Sequence, residues 1–140
     1  MIHRVLGIGR WVIDFLFAVD GYDIDGVLSC LYEIDAPDSV IWRSIHIIEG
    51  ARFNRGFTYS NENMRRAVVV IGPTTSGKQF QNTVVHELRH VIDAIANSLG
   101  LGLGEEAPAY MSGDTAMELF DIICTLGCEH CRGKLLPLQM

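Results

Sequence analysis

Apolar positions along the chain recur with two periods, and each change of period marks an element. From Trp11 to Val19 they fall at every second residue (Trp11, Ile13, Phe15, Phe17, Val19) in an aromatic, β-branched stretch. This predicts a strand, closed by Asp20-Gly21. From about Tyr22 to Ile34 the spacing becomes helical, with Ile24, Val27, Leu28, Leu31 and Tyr32 on one stripe. Ala36-Pro37-Asp38 breaks that helix, and Asp38 or Ser39 can cap a second one that runs through Ile41, Ile45, Ile47 and Ile48 to Glu49-Gly50. Residues 56–60 read as a short strand and 60–63 as a polar turn, while Ala67–Ile71 is a continuous apolar strand ended by Gly72-Pro73. A long amphipathic helix is expected from Asn82 or Thr83 to Ser98, with Gly100 as its C-cap. Leu101–Gly104 is a Gly-spaced turn, Glu105–Met111 and Thr115–Leu126 are helical, and the tail from Gly127 is irregular. These elements predict an α+β fold: a small mixed or antiparallel sheet of about three strands, packed on helices that include the long one.

Composition narrows the class. A chain of 140 residues with 49% hydrophobic content suits a single domain over 1–140 with one core. A net charge of −6 and a pI near 5.2 argue against nucleic-acid binding. Arg4, Arg10 and Asp14 interrupt the apolar N-terminus, so neither a membrane span nor a clean signal peptide is expected. Cys30, Cys124, Cys128 and Cys131 read as reduced thiols, and the expected compartment is the cytoplasm. Cys128-x-x-Cys131, even with Cys124 and His130 nearby, lacks the second separated pair of a closed zinc site.

The long helix carries the chemistry. His86-Glu87-Leu88-Arg89-His90 is an H-E-x-x-H motif, which random placement in this composition gives only about once in a hundred chains. Two His at i and i+4 lie about 40° apart on one helix face, so both imidazoles can reach one ion. Asp93 and Asn97 lie on the same face, while Val84, Leu88, Val91, Ile92, Ile95 and Leu99 gather on the opposite one. Glu87, one step round, can hold the attacking water and take its proton. A catalytic zinc usually has a third protein ligand. The extended H-x-x-G-x-x-H pattern fails, because Asp93 and Ala96 stand at its Gly and third His positions. A carboxylate is therefore favoured, from Glu105, Glu106, Asp114 or Glu118.

With these residues the chain resembles the gluzincins, zinc metallopeptidases with H-E-x-x-H on one helix and a Glu ligand on a following helix. The likeness is to compact, minigluzincin-like members, and more loosely to small metallopeptidase-like proteins of bacterial mobile elements. Glu106-Ala107-Pro108-Ala109-Tyr110 matches the E-x-x-A-Y form of the ligand segment. The resemblance thus implies a zincin-like fold and one Zn2+ held by His86, His90 and Glu106. It also implies an edge strand beside the metal helix, for which Ala67–Ile71 is placed. Glu105, Asp93, Asp114 and Tyr110 are candidates to support the ligands, and Tyr110 and Tyr59 are candidates to stabilise an oxyanion.

The expected function is hydrolysis of a peptide or protein substrate with Glu87 as general base. Two alternatives stand: a catalytically inactive zincin-fold metal-binding module, and a nucleotide binder. The second rests on Gly72-Pro73-Thr74-Thr75-Ser76-Gly77-Lys78, which matches G-x-x-x-x-G-K. Against it, Gln79 replaces the magnesium-binding hydroxyl, and Ser76 to Gln79 also fits a helix-capping box.

Overall fold

The computed structural model describes residues 1–50, 55–74, 76–102 and 104–128. Strands β1 (Ile2–Ile8) and β2 (Trp11–Phe17) form an antiparallel hairpin that turns at Gly9, whose φ of 60° suits a residue without a Cβ. Helices α1 (Ile24–Glu33) and α2 (Asp38–Glu49) follow, then the hairpin of β3 (Gly56–Asn61) and β4 (Arg66–Ile71). The described residues end in three helices, α3 (Gly77–Ser98), α4 (Glu106–Glu118) and α5 (Phe120–Gly127). The fold is α+β, with a four-stranded mixed sheet in the order β1-β2-β4-β3. Among the described residues, only β2 and β4 pair in parallel.

The sheet is sandwiched between two helical layers. Ile13, Phe15, Phe17, Val69 and Ile71 on one face pack against Phe80, Val84, Leu88, Val91, Ile92 and Ile95 of α3, joined by Leu119, Ile122 and Leu126. Leu16, Val68 and Val70 on the other face meet Val27, Leu31, Ile34, Ile41 and Ile48 from the α1–α2 layer. Because β2 and β4 are interior strands, both of their faces are mostly apolar, with Asp14 the buried exception. No helix among the described residues is long and apolar enough to cross a membrane.

Four elements differ from the sequence pattern. Strand β1 carried no prediction; as an edge strand it buries only alternate side chains in part, and His3 and Arg4 mask the alternation. Val19 leaves the row of Trp11 to Phe17, because Ala18 turns the chain at φ 55° and sends Val19 into the opposite core. The Ser76 N-cap opens α3 itself: Ser76 Oγ accepts from the Gln79 N–H at 3.2 Å, so the motif helix begins at Gly77. Helix α4 continues through Gly113, an interior glycine that costs a helix only about 1 kcal/mol, and the break falls at Leu119.

Candidate metal centre at the sheet edge

Helix α3 lies with its aliphatic side on the sheet, except that Leu99, expected in that row, is exposed. Its polar side runs along β3. The would-be Cβ of Gly56 meets Glu87 Cγ, and toward the far end of the hairpin Asn97 Nδ2 donates to Glu62 Oε1 at 2.9 Å. Strand β3 is outermost, whereas β4, expected at the edge, is enclosed between β2 and β3. The motif therefore faces an open cleft, about 550 Å³ on the side of Arg55, Asn82 and Thr83 and about 450 Å³ on the side of Arg43, Thr58 and His90.

Both imidazoles are exposed and point to one place. His86 Nε2 and His90 Nε2 stand 3.3 Å apart, with ring planes at 78°. Two nitrogens each about 2.0–2.1 Å from a tetrahedral zinc ion lie about 3.3–3.4 Å from each other, so the separation is that of a zinc-ligating pair. As a direct N–H···N contact, 3.3 Å is long against the usual value near 3.0 Å. One ligand-type atom from each of His86, Glu87 and His90 lies within 4.8 Å of the others. Glu87, only 3% exposed, is held from the strand side: Thr58 Oγ1 donates to its Oε1 at 3.2 Å. Gly56 leaves room for this carboxylate, since a Cβ there would stand 2.8 Å from Glu87 Cγ.

The other expected residues do not join this group. Glu106 is exposed in the first turn of α4 and is no member of the cluster. The reason is the direction of the reversal. Eight residues of α3 follow His90, carrying the turn about 12 Å beyond it. Helix α4 then packs against β1, the edge opposite β3. Glu105 is engaged locally, its Oε2 accepting from the Gly102 N–H at 2.6 Å. Asp93 pairs with Arg89 along the helix (Nε to Oδ1, 2.7 Å). Tyr110 is exposed on α4, and Asp114 lines a separate depression beside Val5 to Gly9. Tyr59 packs with the α1–α2 core on the far face of β3.

Two further features share traits with ligand sites. His3, Asp14 and Cys30 also bring ligand-type atoms within 4.8 Å. Here the His3 Nε2 to Asp14 Oδ1 distance of 2.8 Å is that of a direct hydrogen bond, and Arg66 already neutralises the other oxygen at 3.0 Å. This is a polar tie across β1, β2 and β4. In the glycine-rich loop, Ser76 caps α3, and a Cβ on Gly77 would run into the Gly127 carbonyl. The first residue of α3 thus packs against the end of α5. Thr75 of that loop, with His130 and Cys131 of the tail, lies outside the described residues.

Thr58, Gly56, Arg43 and Arg55 were not singled out in the sequence. A signal for the first two exists: Gly56, Thr58 and Ser60 alternate with Phe57 and Tyr59, giving β3 one small, polar side. The arginines carry no such signal. Comparison with protein-family models, with curated proteins and with solved structures finds no match for this chain.

Proposed function

We propose that the chain is a zinc-dependent hydrolase of the metallopeptidase type, with a zincin-like arrangement of edge strand and motif helix. The observation that carries this reading is the 3.3 Å separation of the two Nε2 atoms beside a buried carboxylate. His86 and His90 would hold one ion, which when bound supplies Lewis-acid polarisation of a carbonyl and makes a nearby water more acidic. Glu87 takes the proton of the attacking water and returns it to the leaving amine. Thr58 fixes one oxygen of that carboxylate through its hydroxyl, leaving the other for the proton. The substrate lies extended along β3, whose outer side has no strand partner among the described residues.

A second reading, a metal-binding module without hydrolysis, is favoured by one fact: neither Tyr59 nor Tyr110 is placed at the cleft as an oxyanion donor. Two measurements separate the readings. Purified protein should bind one zinc per chain and lose it in His86→Ala, and absence of binding ends both proposals. Glu87→Gln should keep the zinc and abolish peptide hydrolysis. Hydrolysis that survives this change rules out Glu87 as the base, and wild-type protein that binds zinc without cleaving any peptide leaves the second reading.

A further inference from the structure

The cleft is electrically unlike the rest of the molecule. The chain carries 17 acidic against 11 basic side chains, a net charge of −6. Yet the residues lining the two arms of the cleft include Arg55 on one side and Arg43 on the other, and among the described lining residues Glu87 is the sole acidic one. Both arginines are exposed, and neither guanidinium has an ion-pair partner among the described residues. Elsewhere Arg4, Arg66 and Arg89 are each paired with an aspartate, while Arg10 and Arg65 are exposed and, among the described residues, unpaired. Arg55 and Arg43 also come from different places: Arg55 directly precedes β3, while Arg43 belongs to α2 in the opposite helical layer and reaches the cleft past the sheet edge. They stand on either side of His86 and Glu87, which both arms share.

We propose that the cleft selects extended peptides with acidic side chains on both sides of the bond presented to Glu87; this rests on the hydrolase reading above. An extended substrate along β3 passes both guanidiniums, one on each side of the reacting bond. Each offers a planar fork of donors that matches a carboxylate bidentately, so Asp and Glu side chains are recognised by shape as well as charge. The negative remainder of the surface repels such a peptide everywhere else, and attraction concentrates at the cleft. Basic peptides meet the opposite balance there: two fixed cations and, with zinc bound, a third.

The test uses zinc-loaded Glu87→Gln protein and short labelled peptides identical except that the residues flanking the central bond are Glu, Gln or Lys. Fluorescence anisotropy should rank them Glu over Gln over Lys. Each arginine accounts for about a two- to fivefold preference that shrinks as salt is raised. Arg43→Glu and Arg55→Glu should each reverse the preference on one flank only, with circular dichroism and zinc content unchanged, since both side chains are exposed. Equal binding of the three peptides overturns the proposal. So does an acidic preference that survives both charge reversals, because it would then arise elsewhere. Failure of the hydrolase reading is seen separately: wild-type protein would keep the binding order and cleave none of the peptides.

Discussion

Gly56→Ala tests the joint between strand β3 and the motif helix. A Cβ at this position stands 2.8 Å from Val70 O, 2.8 Å from Glu87 Cγ and 3.2 Å from Thr83 Cγ2. Ordinary carbon contacts begin near 3.4 Å, so the new methyl is about 0.6 Å too close on two sides. Val70 O is backbone, in register with β3 through the Phe57–Val70 pair, and cannot retreat without opening the ladder. The movable neighbour is Glu87, whose carboxylate must leave its bond with Thr58. Overpacking of this kind costs about 1–3 kcal/mol. For a chain of this length about 3–4 °C of melting temperature accompanies each kcal/mol, so Tm should fall by about 3–12 °C. Gly113→Ala is the control, because a methyl there meets nothing within 4 Å and replaces glycine inside a helix, which should hold or raise Tm. Calorimetry reads both. Zinc affinity should be nearly unchanged in Gly56→Ala, since the imidazoles are not touched, while any hydrolysis should fall with the displaced Glu87. A Tm within 1 °C of wild type, on the scale of about 3–4 °C per kcal/mol, would show that β3 does not lie against α3 in this way.

Other consequences follow from single residues. Glu106→Ala should change zinc affinity by less than about threefold, measured by competition with a chelating dye; a loss within the 10- to 100-fold range usual for residues that support a metal site, or beyond it, would put Glu106 at the metal and α4 nearer β3. Cys30 is pushed up to about 11 by burial and, secondarily, by the Asp14 charge. Its neutral thiol stabilises the fold below its ordinary range, and that contribution is lost as pH rises through about 11. Alkylation near neutral pH should accordingly modify exposed Cys124 and spare Cys30, and mass spectrometry showing equal labelling would refute the burial argument. Asp121 is held below its ordinary value chiefly by the hydrogen bond from Arg4 (2.6 Å). The pair's contribution is complete above the carboxylate range and disappears as pH falls through the lowered value. The small Tm difference between wild type and Arg4→Gln, read by thermal melts, should therefore be present at neutral pH and vanish in acid; a difference that grew in acid would reverse the assignment.

The parts legible in the sequence were those whose physics is local. Two imidazoles one turn apart share a helix face whatever surrounds them, and the aliphatic positions Val84 to Ile95 find the sheet because no other face can be buried. Capping by Ser76 was legible for the same reason, although its reach was read too short: the cap and the motif belong to one helix. Strand β1 was hidden because an edge strand needs only half its side chains to be apolar. The order of the strands was hidden more deeply. Strand β4 is the most hydrophobic run in the chain, and that property, taken alone, suits an interior strand better than an edge; the modest Gly-Phe-Thr-Tyr-Ser stretch is what remains for the edge beside the metal helix.

The position of Glu106 shows where spacing stops being informative. Sixteen residues separate it from His90, enough for a helix end, a reversal and a new first turn. That count constrains how far the chain can travel but leaves its direction open. Direction is decided by what α4 and α5 have to bury. Leu119, Ile122 and Leu126 complete the core over β1, β2 and α3, so the helices that carry them are drawn to the side of α3 away from β3. The cleft between α3 and β3 is left open by the same choice, and its walls include side chains with no apolar role, Arg43 and Arg55 among them. A motif fixes which side chains can meet an ion, whereas burial elsewhere in the chain decides which side of the helix stays accessible to a substrate.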